Sequence, residues 1–156
     1  INLMGVVRGC KSFTTSLAKQ GQAHIVNVAS FAGIASAPGM VTYNVAKAGV
    51  ISLSESLRHE LAADNIDVSV VCPAFFPTNL MESMNKEETK ALVTKLMRRS
   101  GVTAEDVAEH IYKGIENKDF MLITHKDAKI QYKLKRLSPD LFHLGMHQIL
   151  KKIGMA

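Results

Sequence analysis

Two short apolar runs, at residues 24–29 and 67–72, constrain the fold of this 156-residue chain more than any other feature. Each is a nearly continuous series of apolar residues, which is typical of strands covered on both faces of a parallel sheet. A third run at residues 120–124 predicts one more strand. Helical patterns at residues 1–20, 41–63 and from 103 to about 116 alternate with these runs. The alternation predicts an α/β fold.

Composition and length restrict the chain to one globular domain at most. Hydrophobic residues make up 47% and charged residues 21% of the sequence. No apolar run reaches the roughly 18 residues that a membrane span needs, and no signal peptide is recognisable. The two cysteines, Cys10 and Cys72, lie in apolar runs without metal-ligand spacing. These features indicate a reducing compartment, and we expect a cytoplasmic protein.

The positive charge is concentrated in residues 126–156, which carry seven basic and two acidic side chains. Their net charge of +5 equals that of the whole chain, so residues 1–125 are balanced. This balance argues against nucleic-acid binding as the main function. The tail fits two short basic helices interrupted at Ser138 and Pro139. Such helices could touch an anionic membrane, but we favour a solvated cap over a pocket. His143 and His147 lack a third ligand, so no metal site is predicted.

The strongest candidate for a catalytic group consists of Tyr43, Lys47 and Ser30. Tyr43 and Lys47 are four residues apart in the predicted helix 41–63, so they lie on one face. A nearby ammonium favours the phenolate form of a tyrosine, whereas burial opposes it. Ser30 follows the predicted strand 24–29, at the end where α/β sheets bind ligands. The spacing alone is also compatible with noncatalytic roles. Tyr43 and Lys47 could lie on an ordinary exposed helix face, and Ser30 could simply start a turn.

Several motifs together resemble those of one known family. The runs Val26–Ser30, Tyr43–Lys47 and Asn2–Gly5 are similar to the Asn-Ser-Tyr-Lys tetrad of classical short-chain dehydrogenases/reductases. The run Cys72–Thr78 resembles the Pro-Gly-x-x-x-Thr segment of that family. The motifs occur in the order and spacing of the family. The resemblance implies that residues 1–125 are the C-terminal part of a Rossmann-type doubly wound parallel sheet, followed by the tail 126–156.

The resemblance also implies roles for the catalytic residues. Tyr43 would exchange a proton with the substrate oxygen, and Ser30 would hydrogen-bond that oxygen. Lys47 would favour the ionised phenol and hold the ribose of the cofactor. Asn2 would lie inside the first helix and anchor a water molecule that links Lys47 to solvent.

The same comparison implies NAD or NADP as cofactor. The residues expected to contact it are Tyr43, Lys47, Pro73, Phe76 and Thr78. The sequence has Ala74 where the family has glycine, and alanine tolerates a positive φ poorly. Thr78 could equally cap a following helix.

The family also implies a small-molecule substrate and a homodimer or tetramer. Phe75, Phe76 and the methionines in residues 79–99 favour a hydrophobic carbonyl or alcohol substrate, although a helix packed on the core explains those methionines equally well. The glycine-rich turn that cradles a dinucleotide pyrophosphate does not occur in the sequence, because Gly5 and Gly9 lie in a helical pattern. We therefore expect residues 1–156 alone to bind cofactor poorly and to expose the edge of the first strand.

Two other functions remain open from the sequence. A non-catalytic binding or scaffold protein could keep this fold, although a scaffold does not need a lysine at the spacing of Lys47. A serine hydrolase using Ser30 would be expected to show a Gly-x-Ser-x-Gly elbow, which is missing around Ser30.

Overall fold

The computed structural model describes residues 1–78, 94, 97–98 and 100–152. It contains three strands, which are β1 (Ala23–Val28), β2 (Ile66–Val71) and β3 (Met121–Leu122). The described α-helices, in chain order, are α1 (Met4–Ala18), α2 (Ala32–Ala35), α3 (Val41–Glu60), α4 (Ala104–Glu116), α5 (Lys126–Leu137) and α6 (Pro139–Lys152). A short 3₁₀ turn, Ala62–Asp64, leads from α3 into β2.

The three strands form one parallel sheet in the order β1-β2-β3. Val28 lies opposite Val71, and Val71 lies opposite Leu122, so all three strands end at the same edge of the sheet. The predicted α/β fold is confirmed. β3 is shorter than the predicted run 120–124, although the backbone of Phe120 still accepts a bond from Val70. Past Leu122 the chain turns toward the loop that follows β2, which ends the strand.

The larger core cluster joins the sheet to α3 and to the C-terminal helices. The completely buried residues of this cluster are Val50 of α3, Val70 of β2 and Cys72, which directly follows β2. The C-terminal helices contribute Ala128 and Phe142 to the same cluster. Residues 126–152 therefore pack on the body of the domain.

The predicted break in the tail is confirmed, since α5 ends at Leu137 and α6 begins at Pro139. Proline suits the first turn of a helix because its missing N–H would have no partner there. No described helix combines the length and the apolar character that a bilayer-spanning segment requires.

The start of α4 is a capping box formed by Thr103 and Asp106, and the sequence Thr-Ala-Glu-Asp at 103–106 has the spacing of this motif. The Thr103 hydroxyl accepts from the Asp106 N–H at 3.1 Å, and the Asp106 carboxylate accepts from the Thr103 N–H at 2.8 Å. The Thr103 N–H and, second to it, the Thr103 hydroxyl, which donates to the same carboxylate at 3.0 Å, hold the pKa of the Asp106 carboxyl below its ordinary value. Their stabilisation is present above the ordinary pKa of aspartate and is lost as the pH falls through the lowered pKa.

The outer edge of β1 has no strand beside it among the described residues. Val28 is 53% exposed and Phe13 of α1 is 65% exposed along this edge. A groove of about 420 Å³ runs between α1 and β1. The unpaired backbone groups of such an edge can accept a further strand.

Candidate active site

Ser30 lies at the C-terminal edge of the sheet, two residues after the end of β1. Its side-chain oxygen accepts a hydrogen bond from the Ala32 N–H at 3.2 Å, and its carbonyl accepts from the Gly33 N–H at 3.0 Å. This turn starts α2 and fixes the hydroxyl at the sheet edge. Because the oxygen serves as an acceptor there, its own O–H is left to donate to a ligand.

Lys47 extends from α3 to the same edge. Its ammonium donates to the carbonyl of Val28 at 3.0 Å and lies 5.7 Å from the centre of the Tyr43 ring. That second distance is within the range of a cation–π contact. Tyr43 and Lys47 therefore share one face of α3. The Lys47 ammonium contacts the end of β1, two residues before Ser30.

Tyr43 is partly buried, and the Lys47 ammonium lies over its ring. Among the residues that the structure describes, none is hydrogen-bonded to the Tyr43 hydroxyl. The hydroxyl can thus bond to a ligand without first breaking a bond to one of these residues.

Burial sets the protonation behaviour of Lys47 and Cys72, two groups that also influence each other's pKa. Desolvation lowers the pKa of Lys47, and the nearby Cys72 thiol opposes that shift. Desolvation also raises the pKa of Cys72 to about 12, against the smaller effects of the Ser30 backbone and the Lys47 charge. The Cys72 thiol therefore stays protonated near neutral pH and is a poor nucleophile.

Replacing Lys47 with methionine is expected to lower kcat/KM by about 100-fold without lowering thermal stability. Burial disfavours the charged form of Lys47 in the folded protein, so at a pH below the lowered pKa this burial disfavours folding. That disadvantage disappears only when the pH rises through the lowered pKa toward the ordinary value. Methionine keeps the apolar stem and removes the charge. Steady-state kinetics and thermal unfolding of the full-length variant check both parts, and a large loss of stability would contradict the prediction.

Gly33 and Asn44 hold the loop between Ser30 and α3, and neither residue was predicted from the sequence to have a role there. A Cβ on Gly33 would lie 2.6 Å from the backbone carbonyl carbon of Lys47, so only glycine fits there without a shift. The buried Asn44 donates through Nδ2 to the carbonyl of Ala37 at 2.6 Å. Its Oδ1 is buried without a hydrogen-bond partner in the described structure. In the sequence, the only indication of such a role for Gly33 is that it lies in the loop before Tyr43. No feature of the sequence indicates a role for Asn44.

The segment 73–76, which includes the predicted cofactor residues Pro73 and Phe76, follows β2 at the same edge. The carbonyl of Pro73 accepts from the Phe31 N–H at 2.8 Å, which joins this segment to the loop after Ser30. Ala74 does not adopt a positive φ, so the alanine found in place of glycine is not strained. Thr78 lies two residues beyond this segment and is exposed. A helix capped by Thr78 would fall outside the described residues, as do most of residues 79–99.

Asn2 is exposed at the N-terminal end of α1 and not in its interior. The Gly5 N–H donates to the carbonyl of Ile1 at 2.9 Å, so Asn2 lies in the first turn. No side chain caps this end of the helix, and the regular helix begins only at Met4. The interior helical position expected for Asn2 and its role in a proton relay both stay predictions.

Comparison with known proteins identifies the family. The family model described as short chain dehydrogenase matches residues 1–89. The nodulation protein G of Rhizobium sp. (strain N33) is 30% identical over 111 residues, which cover 71% of this chain and 45% of that protein. The 3-oxoacyl-[acyl-carrier-protein] reductase of Synechocystis sp. is 37% identical over 87 residues, which cover 56% of this chain and 35% of that protein.

A solved structure extends the similarity to most of the chain. It is a short chain dehydrogenase/reductase from Burkholderia phymatum in complex with NAD, with a TM-score of 0.80 and 30% identity. The match covers 90% of this chain and 57% of that one, so the chain spans about half the length of the relatives it matches. The described geometry, the matched family model and this similarity lead to one conclusion: the chain belongs to the short-chain dehydrogenase family.

Proposed function

We propose that the full-length protein is an NAD(P)-dependent oxidoreductase that interconverts a carbonyl compound and its alcohol. The observation that carries the proposal is the position of the Lys47 ammonium, between the end of β1 and the Tyr43 ring. It places a charged side chain, a phenol and the strand end that leads to Ser30 at the ligand-binding edge of a parallel sheet.

The donors at this edge fit the nicotinamide end of a dinucleotide. An ammonium has three N–H donors, and the Val28 carbonyl takes one of them, which leaves two for the hydroxyl oxygens of a ribose. The segment 73–76 offers backbone groups beside it, and Thr78 follows. The Burkholderia phymatum relative was solved with NAD, which supports this assignment. When bound, the nicotinamide supplies or accepts the hydride.

Within this chain, Tyr43 would donate a proton to the carbonyl oxygen during reduction and remove it from the alcohol during oxidation. The Ser30 O–H would donate a hydrogen bond to the same oxygen and stabilise the negative charge that develops there. Lys47 would favour loss of the Tyr43 proton through its positive charge. Cys72, with its pKa raised to about 12, would remain protonated and take no part in the reaction.

A hydrophobic carbonyl or alcohol is the substrate class that we favour. Phe75 and Phe76 are partly buried beside the site and offer apolar surface. The Synechocystis relative is named for reducing 3-oxoacyl groups on a carrier protein, which supports a ketone as the reacting group.

The test is turnover by the full-length protein with NADH or NADPH and a panel of ketones and aldehydes, followed by the absorbance of the reduced nicotinamide. The reverse panel contains the matching alcohols with NAD and NADP. We expect oxidation of at least one reduced cofactor that depends on a carbonyl substrate. A protein that binds the cofactor tightly and turns over nothing on a broad panel would favour the scaffold alternative.

A further inference from the structure

His125 is a buried histidine whose side chain points into the loop after β2. Only 4% of its surface is exposed, at the junction between β3 and α5. Its Nε2 lies 3.0 Å from the carbonyl oxygen of Phe75, and its Nδ1 lies 3.4 Å from the Ala74 backbone nitrogen. The Thr124 hydroxyl is 2.8 Å from the same Nδ1. One imidazole ring therefore contacts two consecutive residues of the segment 73–76.

These partners specify the tautomer of His125. A carbonyl oxygen can only accept, so Nε2 must carry the hydrogen and donate it to Phe75. Nδ1 is then bare and accepts from the Ala74 N–H and the Thr124 hydroxyl. All the polar atoms of the buried ring are thus satisfied, and the ring has one favourable orientation.

The His125 contacts complete a two-sided attachment of the segment. On one side, the Phe31 N–H holds the carbonyl of Pro73 at 2.8 Å, next to the loop that contains Ser30. On the other side, His125 holds the N–H of Ala74 and the carbonyl of Phe75. The segment lacks strand partners here, since β2 ends at Val71. Side-chain and loop contacts therefore define its path across the sheet edge.

We propose that His125 is a positioning residue for cofactor binding, acting through the backbone of segment 73–76. This inference rests on the proposed function, since it assigns that segment to the nicotinamide end of the cofactor. His125 does not itself need to touch the cofactor. It sets the direction of the backbone groups at Ala74 and Phe75, and a displacement of about 1 Å in such groups can cost about 100-fold in rate.

Two substitutions in the full-length protein test this role. His125→Phe keeps a ring of similar size and removes every hydrogen bond, whereas His125→Gln keeps an amide N–H that can donate to Phe75. We expect His125→Phe to weaken NAD(P)H binding by about 10- to 100-fold, with His125→Gln between it and the unsubstituted protein. His147→Gln, at an exposed position in α6, is the matched control and should bind normally.

Hydrogen exchange separates this inference from the proposed function. The amides of Ala74, Phe75 and Phe76 should exchange faster in His125→Phe than in the control, with or without cofactor. Unchanged exchange there, or unchanged cofactor affinity in a folded His125→Phe variant, would overturn the inference. If these amides exchange faster in His125→Phe but the protein binds neither NADH nor NADPH, the result would support the role of His125 in holding the segment and would contradict the proposed function.

Discussion

Tyr43→Phe is expected to lower kcat by about 100- to 10,000-fold, the usual contribution of general acid–base catalysis. Phenylalanine keeps the ring that lies 5.7 Å from the Lys47 ammonium and loses only the hydroxyl. Because that hydroxyl makes no hydrogen bond to any described residue, its removal should leave the fold intact. The measurement is kcat of the full-length variant at saturating cofactor and substrate, alongside its circular dichroism and thermal unfolding.

Tyr112→Phe provides the matched control. Tyr112 is 62% exposed on α4, so the same loss of a hydroxyl there should leave kcat unchanged. A Tyr43→Phe variant with the kcat of the unsubstituted protein would remove Tyr43 from the mechanism. A binding or scaffold protein would show neither turnover nor a difference between the two variants.

The parts of the fold that sequence could predict are those with a local pattern. The run at 24–29 is mostly apolar, which is typical of a strand, and its end lies next to Ser30 at the C-terminal edge of the sheet. The spacing from Tyr43 to Lys47 puts both on one face of α3 through helical geometry alone. Thr103 and Asp106 likewise form a local motif, and the structure contains it. Each of these predictions needs only neighbouring residues.

The parts that sequence could not predict depend on contacts between distant residues. His125 meets Ala74 and Phe75 across about fifty positions, and no local pattern marks it as a loop partner.

Gly33→Ala is the second substitution with a large expected effect, on both stability and activity. The new Cβ would lie 2.6 Å from the Lys47 carbonyl carbon and 2.7 Å from the Ala48 nitrogen. Both are backbone atoms of α3 and cannot rotate away as a side chain would. We expect a loss of about 1–3 kcal/mol of stability, typical of overpacking. Either α2 or the backbone at Lys47 must also shift, which should lower kcat/KM by about 100-fold or more.

Gly145→Ala distinguishes this steric effect from the general effect of adding a methyl group to a helical glycine. Gly145 lies in α6, and a Cβ there would have no neighbour within 4 Å. Alanine favours a helix by about 1 kcal/mol over glycine, so this control should be neutral or stabilising. The same preference operates at Gly33 and opposes the clash. The contradicting result would be a full-length Gly33→Ala variant that unfolds at the same temperature as the control and keeps its kcat/KM. In that case the close approach of α2 to the Lys47 backbone would not be needed to position the Lys47 ammonium.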